Sequence, residues 1–457
     1  MSLRSFLEEM EKRGEVVHVR DEVSPRFEVS SIMKAFDGGP VLFFDKVKDH
    51  ETKIVAGVCG TRGRICSALN VSPEKLYEKL IEAWRSPIPS RIVKDGPVKE
   101  VVEKASLSRM PILTHFERDA GAYITSAIVS ARSLDGKIEN VSIHRLLVLD
   151  DNHLAIRLVP RQLFKLWQMA KEEKRDVDVA IALGLHPAVS LAAASPAPFG
   201  VSEFGIANAL LENKMHLIKC ENVETYAPAE AEIVLEGIMS VEKETVEGTL
   251  VDITGTYDIQ RSQPIIELVG MMHREDYIYQ ALLPSGAEHR LLMGLPHETM
   301  IWEAVRNVVP VVKAVSLSSG GCGWLHAVIS IEKQTEGDGK NVLMAAFAVH
   351  PSLKHAIVVD TDIDIFNPED VEWAIATRFQ ANEDLVIIPN ARGSTLDPSA
   401  DQKTGLTTKL GIDATRPLTK PREKFERAKI PTSKRIAEVI NEMRKDEKSS
   451  LRRKFYG

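Results

Sequence analysis

The spacing of apolar positions changes along this chain, and each change marks a region. Leu3, Phe6, Leu7 and Met10 recur every three or four residues among charges, the stripe of an amphipathic helix rather than a signal peptide. Short apolar runs at Val16–Val19, Val41–Phe44 and Ile54–Val58 predict strands, and Pro73–Ala83 predicts a helix, so residues 1–105 read as a small α/β domain. Ser86-Pro-Ile-Pro-Ser90 is a joint, because each proline restricts the residue before it and blocks a helix. Residues 106–300 read mainly as strands, at Ile124–Ser130, Val141–Leu149, Leu154–Val159, Val177–Leu183, Glu232–Glu236 and Pro264–Val269, interrupted by helical stretches near Leu163–Lys174 and Val201–Leu211. That is a β-rich domain with inserted helices.

From residue 301 to 457 the rhythm alternates. Helical 299–308, strands 311–317 and 325–331, helical 339–349, strand 356–360, helical 368–378 and strand 384–388 predict an α/β layered domain. The fold class expected is therefore α/β, in α+β multidomain form. After Pro431, Ile436, Val439, Ile440 and Met443 fall on one helical stripe. A basic run follows (Arg444, Lys445, Lys448, Arg452, Arg453, Lys454), better explained as a solvated helix end than as a nucleic-acid contact.

Composition narrows the classes further. A chain of 457 residues with net charge −7 gives no reason to expect nucleic acid or an anionic membrane as partner. Cys59, Cys66, Cys220 and Cys322 lack metal-site spacing and fit a reducing compartment. No apolar run reaches the roughly eighteen residues of a membrane span. A cytoplasmic protein is expected.

The chemistry concentrates in two segments. In Asn140-Val-Ser-Ile-His-Arg145 a regular strand puts Asn140, Ser142 and His144 on one face and Arg145 on the other. In Glu247-Gly-Thr-Leu-Val-Asp252 two carboxylates stand five residues apart, with a glycine between them to let the backbone turn. An arginine can grip a substrate carboxylate in a fork, and a neighbouring acid can deliver a proton. A decarboxylase needs that combination.

These segments, with Pro198-Phe-Gly-Val-Ser-Glu203, Ala231-Glu-Ile-Val-Leu-Glu-Gly237, Gly320-Gly-Cys-Gly-Trp324 and Val359-Asp-Thr-Asp-Ile-Asp364, resemble in the same order the UbiD-like family of decarboxylases, which use prenylated flavin mononucleotide. The resemblance implies a small N-terminal α/β domain (1–105), a flavin-binding split β-barrel (106–300) and a C-terminal αβα domain (301–457). It also implies a terminal helix that packs on another subunit, hence a homo-oligomer (dimer or hexamer), and a flavin prenyltransferase as cofactor supplier. Asn140 and Glu203 match the family's asparagine and glutamate that hold a divalent ion on the flavin phosphate. Where the family has a histidine this chain has Gln162. An all-oxygen set favours Mn²⁺ or Mg²⁺, with K⁺ as a further ion. Gln162 is either such a ligand or a helix N-terminal residue facing solvent.

The same resemblance makes Val141, Ser142, Ile143, His144 and Arg145 the flavin lining, with Arg161 and Lys354 as further cofactor contacts. For His144 a packed structural role is favoured over a chemical one. Arg145, Glu247 and Asp252 match the family's arginine and two acids. Arg145 is expected to orient the leaving carboxylate, Glu247 to hold Arg145, and Asp252 to protonate the product. Asn140–Arg145 and Val251-Asp-Ile-Thr-Gly-Thr-Tyr-Asp258 are most similar to an archaeal branch that converts trans-anhydromevalonate 5-phosphate to isopentenyl phosphate in isoprenoid synthesis. Arg132, Arg161, His289 and Arg290 are candidates for the substrate phosphate. The alternatives are a 4-hydroxybenzoate-type decarboxylase and a flavin-binding protein without decarboxylase activity.

Overall fold

The strands expected between residues 106 and 300 close on themselves. In the computed structural model, which describes residues 1–428, 430–436, 438–440 and 442–443, six of them form a ring: β1 (Tyr123–Arg132), β2 (Glu139–Val148), β3 (His153–Ile156), β4 (Val177–Leu183), β5 (Ile233–Glu247) and β6 (Arg261–His273). They pair in the order β5-β4-β1-β2-β3-β6, and β6 returns to β5, every pairing being antiparallel. This is a closed six-stranded barrel within a mixed α/β fold, as the fold class anticipated.

Period-two alternation assigns neighbouring side chains to two cores. Val129, Ile181, Leu235 and Met271 join a core to which all six strands contribute, the filling of the barrel. Ile128, Ala180, Val234 and Met272 join a second core on the outer side. At Glu236/Gly237 the register of β5 against β6 shifts, Glu236 facing Gly270 and Gly237 facing Leu268. A Cβ at Gly237 would lie 2.6 Å from Ile266 Cγ2 and 3.2 Å from the Glu267 carbonyl oxygen. Gly237→Ala is therefore expected to destabilise the fold by roughly 1–3 kcal/mol, seen as a lower urea midpoint at unchanged m-value.

Ahead of the barrel, α1 (Leu3–Lys12) forms as its stripe predicts. Leu3, Phe6, Leu7 and Met10 are buried, and Ser2 and Ser5 exchange side-chain-to-backbone hydrogen bonds across its first turn. The N-terminal sheet orders Val16–Val19, Val41–Phe44, Lys53–Ala56 and Ile278–Ala281, so its last strand comes from sequence beyond the barrel. The proline joint packs rather than dangles. Ile88 N–H donates to the Gly205 carbonyl (3.0 Å), and Asn208 Nδ2 donates to the carbonyls of Ile88 and Pro89 (3.2 Å each).

Helix α2 (Gln162–Glu172) sends Leu163, Leu166 and Trp167 into the barrel's filling, and Trp167 Nε1 donates to the Ser240 carbonyl at 2.9 Å. Helix α3 (Glu203–Leu210) lays Phe204, Ile206 and Ala207 on the outer core. Helix α4 runs Ala287–Arg306 with Pro296 inside it, about three turns longer than the 299–308 expected from sequence. Its first turn is tied to the N-terminal sheet region. Ala287 N–H donates to Asp37 Oδ1 (2.6 Å), and the buried Glu288 carboxylate accepts from Gly57 N (3.0 Å) and Cys59 N (2.7 Å). Burial pushes the Glu288 carboxyl up to about 7.

The C-terminal sheet orders β7 (Val312–Leu317), β8 (His326–Ile331), β9 (His355–Asp360), β11 (Leu406–Ala414) and β10 (Leu385–Arg392), with helices α5 (Asp338–Val349) and α6 (Pro368–Arg378). β11, absent from the sequence expectation, inserts between β9 and β10, parallel to the first and antiparallel to the second. Residues through Thr415 form one unit and those from Arg416 a second. The second contains a short 3₁₀ turn at Arg422–Phe425 and helical residues at 434–436, 438–440 and 442–443, where Ile436, Val439, Ile440 and Met443 are exposed. The basic run from Arg444 lies outside the described residues. Among the described residues, no helix is long and apolar enough to cross a membrane.

Candidate active site

Strand β2 presents the two halves of the site on its two faces. Asn140, Ser142 and His144 face Ala131, Val129 and Ala127 of β1 in register, and so share the barrel-filling side. Ser142 Oγ lies 3.0 Å from Asn140 Oδ1 and 2.9 Å from His144 Nε2, which confirms the common face. His144 Nδ1 donates to the Arg157 carbonyl at 3.0 Å, and burial pulls the ring down to about 4, so it is a neutral, fixed imidazole. The register then slips. Ile124 faces Leu146 but Ala127 faces His144, so Thr125 and Ser126 together oppose Arg145. Thr125 Oγ1 and Ser126 Oγ turn away to the carbonyls of Leu282 and Gln280. A bulge of this kind re-aims the residue beside it, here Arg145.

Arg145 points into a cluster of acids. Its Nε and Nη2 each lie 3.0 Å from one oxygen of Glu247, a two-pronged grip. Nη1 lies 3.3 Å from Asp252 Oδ2, and Nη2 lies 3.1 Å from Asp258 Oδ2. Glu247 ends β5 and its side chain is fully buried, also accepting from the Tyr123 hydroxyl at 3.1 Å. Asp252 and Asp258 come from the connection between β5 and β6. A hairpin there bridges Val251 to Tyr257, with Gly255 at φ +78° closing the turn onto the Asp252 carbonyl. The hairpin brings both aspartates to the same arginine. Gly248 follows the end of β5, and a Cβ there would lie 2.8 Å from the exposed Gln260 side chain, which would have to move.

The acids are not equivalent. The Asp252 side chain is 23% exposed, against 0% for Glu247 and 11% for Asp258. Burial acts to raise the Asp258 carboxyl, but the hydrogen bond from Arg261 and the charges of Arg145, Arg261 and Arg157 outweigh it and hold it below the ordinary carboxylate range. Arg261 Nη1 reaches both Asp258 oxygens at 2.8 and 2.9 Å, and Arg157 Nε stands 3.4 Å away. In sequence Arg157, Arg261 and Tyr123 carry no signal of an individual role, and Asp258 stands only as the last residue of the Val251–Asp258 segment. The one available signal was Thr254-Gly255, a turn that returns the chain six residues after Asp252.

The other half gathers around Glu203 at the start of α3. Its Oε1 accepts from Asn140 Nδ2 (3.1 Å) and its Oε2 from Val141 N–H (2.7 Å). The side chain is buried, and burial raises its carboxyl to about 7. Gln162 opens α2, and its Nε2 donates to the Ala197 carbonyl (2.5 Å) on the segment leading into α3. That bond turns Oε1 inward, where it is buried with no hydrogen-bond partner. An orphaned amide oxygen suits a hard cation, and nothing in the donor set (Asn140, Gln162, Glu203) disfavours one. Gln162 is thus partly buried rather than the solvent-facing residue of the second sequence expectation. Among the described residues, no three His, Cys, Asp or Glu side chains gather as a metal cage.

The remaining candidates separate. Arg161 precedes α2, and its charge bears on His144. Ile143 packs against the outer core. Lys354 instead joins Asp397 (2.7 Å) and Ser399, away from the β2 residues in its bonding. Arg132 bonds the Gly136 carbonyl, and Arg290 bonds the Ser285 carbonyl at 2.8 Å. His289 accepts from Ser285 N–H through Nδ1 (3.0 Å), which leaves its proton on Nε2, and the charges of Asp252 and Arg145 act on it.

A barrel strand that carries an acid-clamped arginine on one face and an oxygen-donor cradle on the other defines a class, the barrel-based carboxy-lyases. Residues 7–84, 91–287 and 290–414 match the N-terminal, Rift-related and C-terminal domains of 3-octaprenyl-4-hydroxybenzoate carboxy-lyase. The chain is 45% identical over 425 residues to the anhydromevalonate phosphate decarboxylase of Methanothermobacter thermautotrophicus, covering 93% of this chain and 99% of that one. The UbiD-class enzyme HmfF from Pelotomaculum thermopropionicum, solved with FMN, superposes with TM-score 0.92 at 43% identity, over 94% of this chain and 98% of that one. An evolved dimeric form of HmfF, solved with prFMN, gives TM-score 0.88 at 40% identity over 94% and 97%. The chain belongs to the UbiD family of decarboxylases.

Proposed function

We propose that this protein decarboxylates trans-anhydromevalonate 5-phosphate to isopentenyl phosphate and CO₂ with the help of prenylated FMN. The observation that carries the reading is Arg145 held by buried Glu247 with the half-open Asp252 on its remaining edge. The name of the archaeal relative supplies the substrate, and the flavins bound by the HmfF structures supply the cofactor.

Asn140, Gln162 and Glu203 would hold Mn²⁺ or Mg²⁺ against the flavin phosphate, with K⁺ as a further ion, and Val141 to Arg145 and Arg161 would line the flavin. Lys354 would join them only by giving up Asp397. When bound, prenylated FMN supplies an electron sink for the pair left behind by departing CO₂. The rest falls to the chain. Glu247 fixes the plane of the guanidinium, and Arg145 Nη1 orients the substrate carboxylate. Asp252 gives its proton to the product carbon and recovers one from solvent across its exposed side. Among the candidates weighed for the substrate phosphate, His289 is the one whose charge interactions include Asp252 and Arg145, and as a neutral ring it would serve as a hydrogen-bond donor through Nε2. The reading includes domains 1–105, 106–300 and 301–457, and a cytoplasmic homo-oligomer (dimer or hexamer) built through the C-terminal helix. A flavin prenyltransferase would supply the cofactor.

The test is CO₂ release by protein reconstituted with prenylated FMN and Mn²⁺, offered trans-anhydromevalonate 5-phosphate and 4-hydroxybenzoate in parallel. Release from the phosphorylated acid alone is expected. Release from the benzoate alone overturns the substrate, and release from neither, with flavin bound, overturns the activity.

A further inference from the structure

Asp258 is the third acid on Arg145, and the reaction just described leaves it without a task. We propose that Asp258 is a positioning residue that, braced by Arg157 and Arg261, occupies the Nη2 edge of Arg145 and so reserves Nη1 for Asp252 and the substrate carboxylate. The inference rests on the decarboxylase reading above.

The donor count makes the case. A guanidinium has five N–H donors. Nε and one Nη2 hydrogen go to Glu247, and the other Nη2 hydrogen goes to Asp258 at 3.1 Å. Only Nη1 is left, and its contact to Asp252, at 3.3 Å, is the longest of the four. Asp258 thus closes one side of the arginine, while on the other Asp252 takes the longest of the arginine's contacts through Oδ2 and accepts from Ile253 N–H at 2.6 Å through Oδ1. Without Asp258, the vacated Nη2 hydrogen would be open to Asp252 or to the substrate, and Nη1 would no longer be the one free edge of the arginine.

Charge points the same way. Glu247, Asp252 and Asp258 against Arg145, Arg157 and Arg261 sum to zero when all are ionised, and to +1 when Asp252 carries a proton. The protonated state is therefore the one that matches an incoming carboxylate, so anion binding and retention of the catalytic proton favour each other. The other groups that face the cluster leave this balance in place. Tyr123 on β1 bonds Glu247, and burial pushes Asp119, ahead of β1, and His289, on α4, toward their neutral forms. Asp258 sets the balance from one side and Arg261 from the other.

Two substitutions test the proposal, through the pH profile of CO₂ release from trans-anhydromevalonate 5-phosphate. Asp258→Asn is expected to lower kcat about tenfold or more with KM changed less than about threefold, and to move the alkaline limb to lower pH. Arg261→Gln removes a positive charge and is expected to move the same limb to higher pH. Opposite shifts are the signature, because a merely structural role would move neither limb or both alike; either result overturns the proposal. Should Asp258→Asn fail to fold, Asp258→Glu takes its place and should keep the wild-type limb, while Arg261→Gln alone still decides the direction. Wild-type protein that releases no CO₂ defeats the functional reading, and this inference with it. Wild-type turnover with unmoved variants defeats this inference alone.

Discussion

An Asp252→Asn variant is expected to release CO₂ some 10²–10⁴ times more slowly than the parent protein, the usual contribution of a positioned acid, while binding flavin equally well. The substitution is isosteric and removes the transferable proton together with the ionisable carboxyl. Arg145 keeps both bonds to Glu247 and the bond to Asp258, so the carboxylate grip survives. Neither of the other acids can substitute. Glu247 is fully enclosed and gripped along both oxygens, and Asp258 is held ionised, with Arg261 across both of its oxygens. Single-turnover CO₂ release with flavin absorbance as the binding control measures both quantities. A rate within threefold of the parent would remove Asp252 from the role of proton donor.

Glu203 should make metal affinity steeply dependent on pH. Burial raises its carboxyl to about 7, so below that pH a cation must displace a proton, and affinity should fall about tenfold per pH unit. The linkage for the metal-free protein has a definite sign. A carboxyl raised from the ordinary 4.5 to about 7 contributes stability that is complete below 4.5 and is lost as pH rises through 7, on the order of 3 kcal/mol in total. Mn²⁺ should restore that loss. Glu288 is raised into the same window by the same cause, but it faces Gly57 and Cys59 and should not respond to metal. Glu203→Gln is thus expected to abolish tight Mn²⁺ binding and to remove the metal-restorable part of the decline in Tm between pH 5 and 8, leaving the Glu288 part. Calorimetric Mn²⁺ titration at pH 6 and 8 and melting curves with and without metal check both. Equal affinities at the two pH values would exclude Glu203 as a ligand.

How far the sequence could be read follows from which signals are local. The strands at Val16–Val19, Val41–Phe44 and Val177–Leu183 carry their evidence in four to seven residues, and they form where expected. Pro296 interrupts the sequence pattern of α4, so its first turns carry no helical signal; tertiary anchoring of Ala287 and Glu288 carries the helix through it. β11 was missed because Leu406–Ala414 mixes threonines, a lysine and a glycine, and becomes a strand by lying between β9 and β10. Ring closure by β5 and β6 is a long-range event that no strand signals alone. In the site, the common face of Asn140, Ser142 and His144 followed from a period of two. Asp258, Arg157 and Arg261 did not, because a hairpin and two different strand ends bring them to Arg145.

Length is the property of β2 that admits no compromise. The oxygen cradle and the acid-bound arginine hang from opposite sides of one short ribbon, only two residues separating Ser142 from Arg145. Deleting one residue between them would exchange the sides at a stroke, sending the guanidinium toward the cradle and an imidazole or hydroxyl toward the acids. Substitutions there alter one half of the site, whereas an insertion or deletion destroys both together. New substrate preferences on this scaffold must therefore come from the hairpin that carries Asp252 and Asp258 and from the first turns of α4, where chain can be added or removed without inverting a strand.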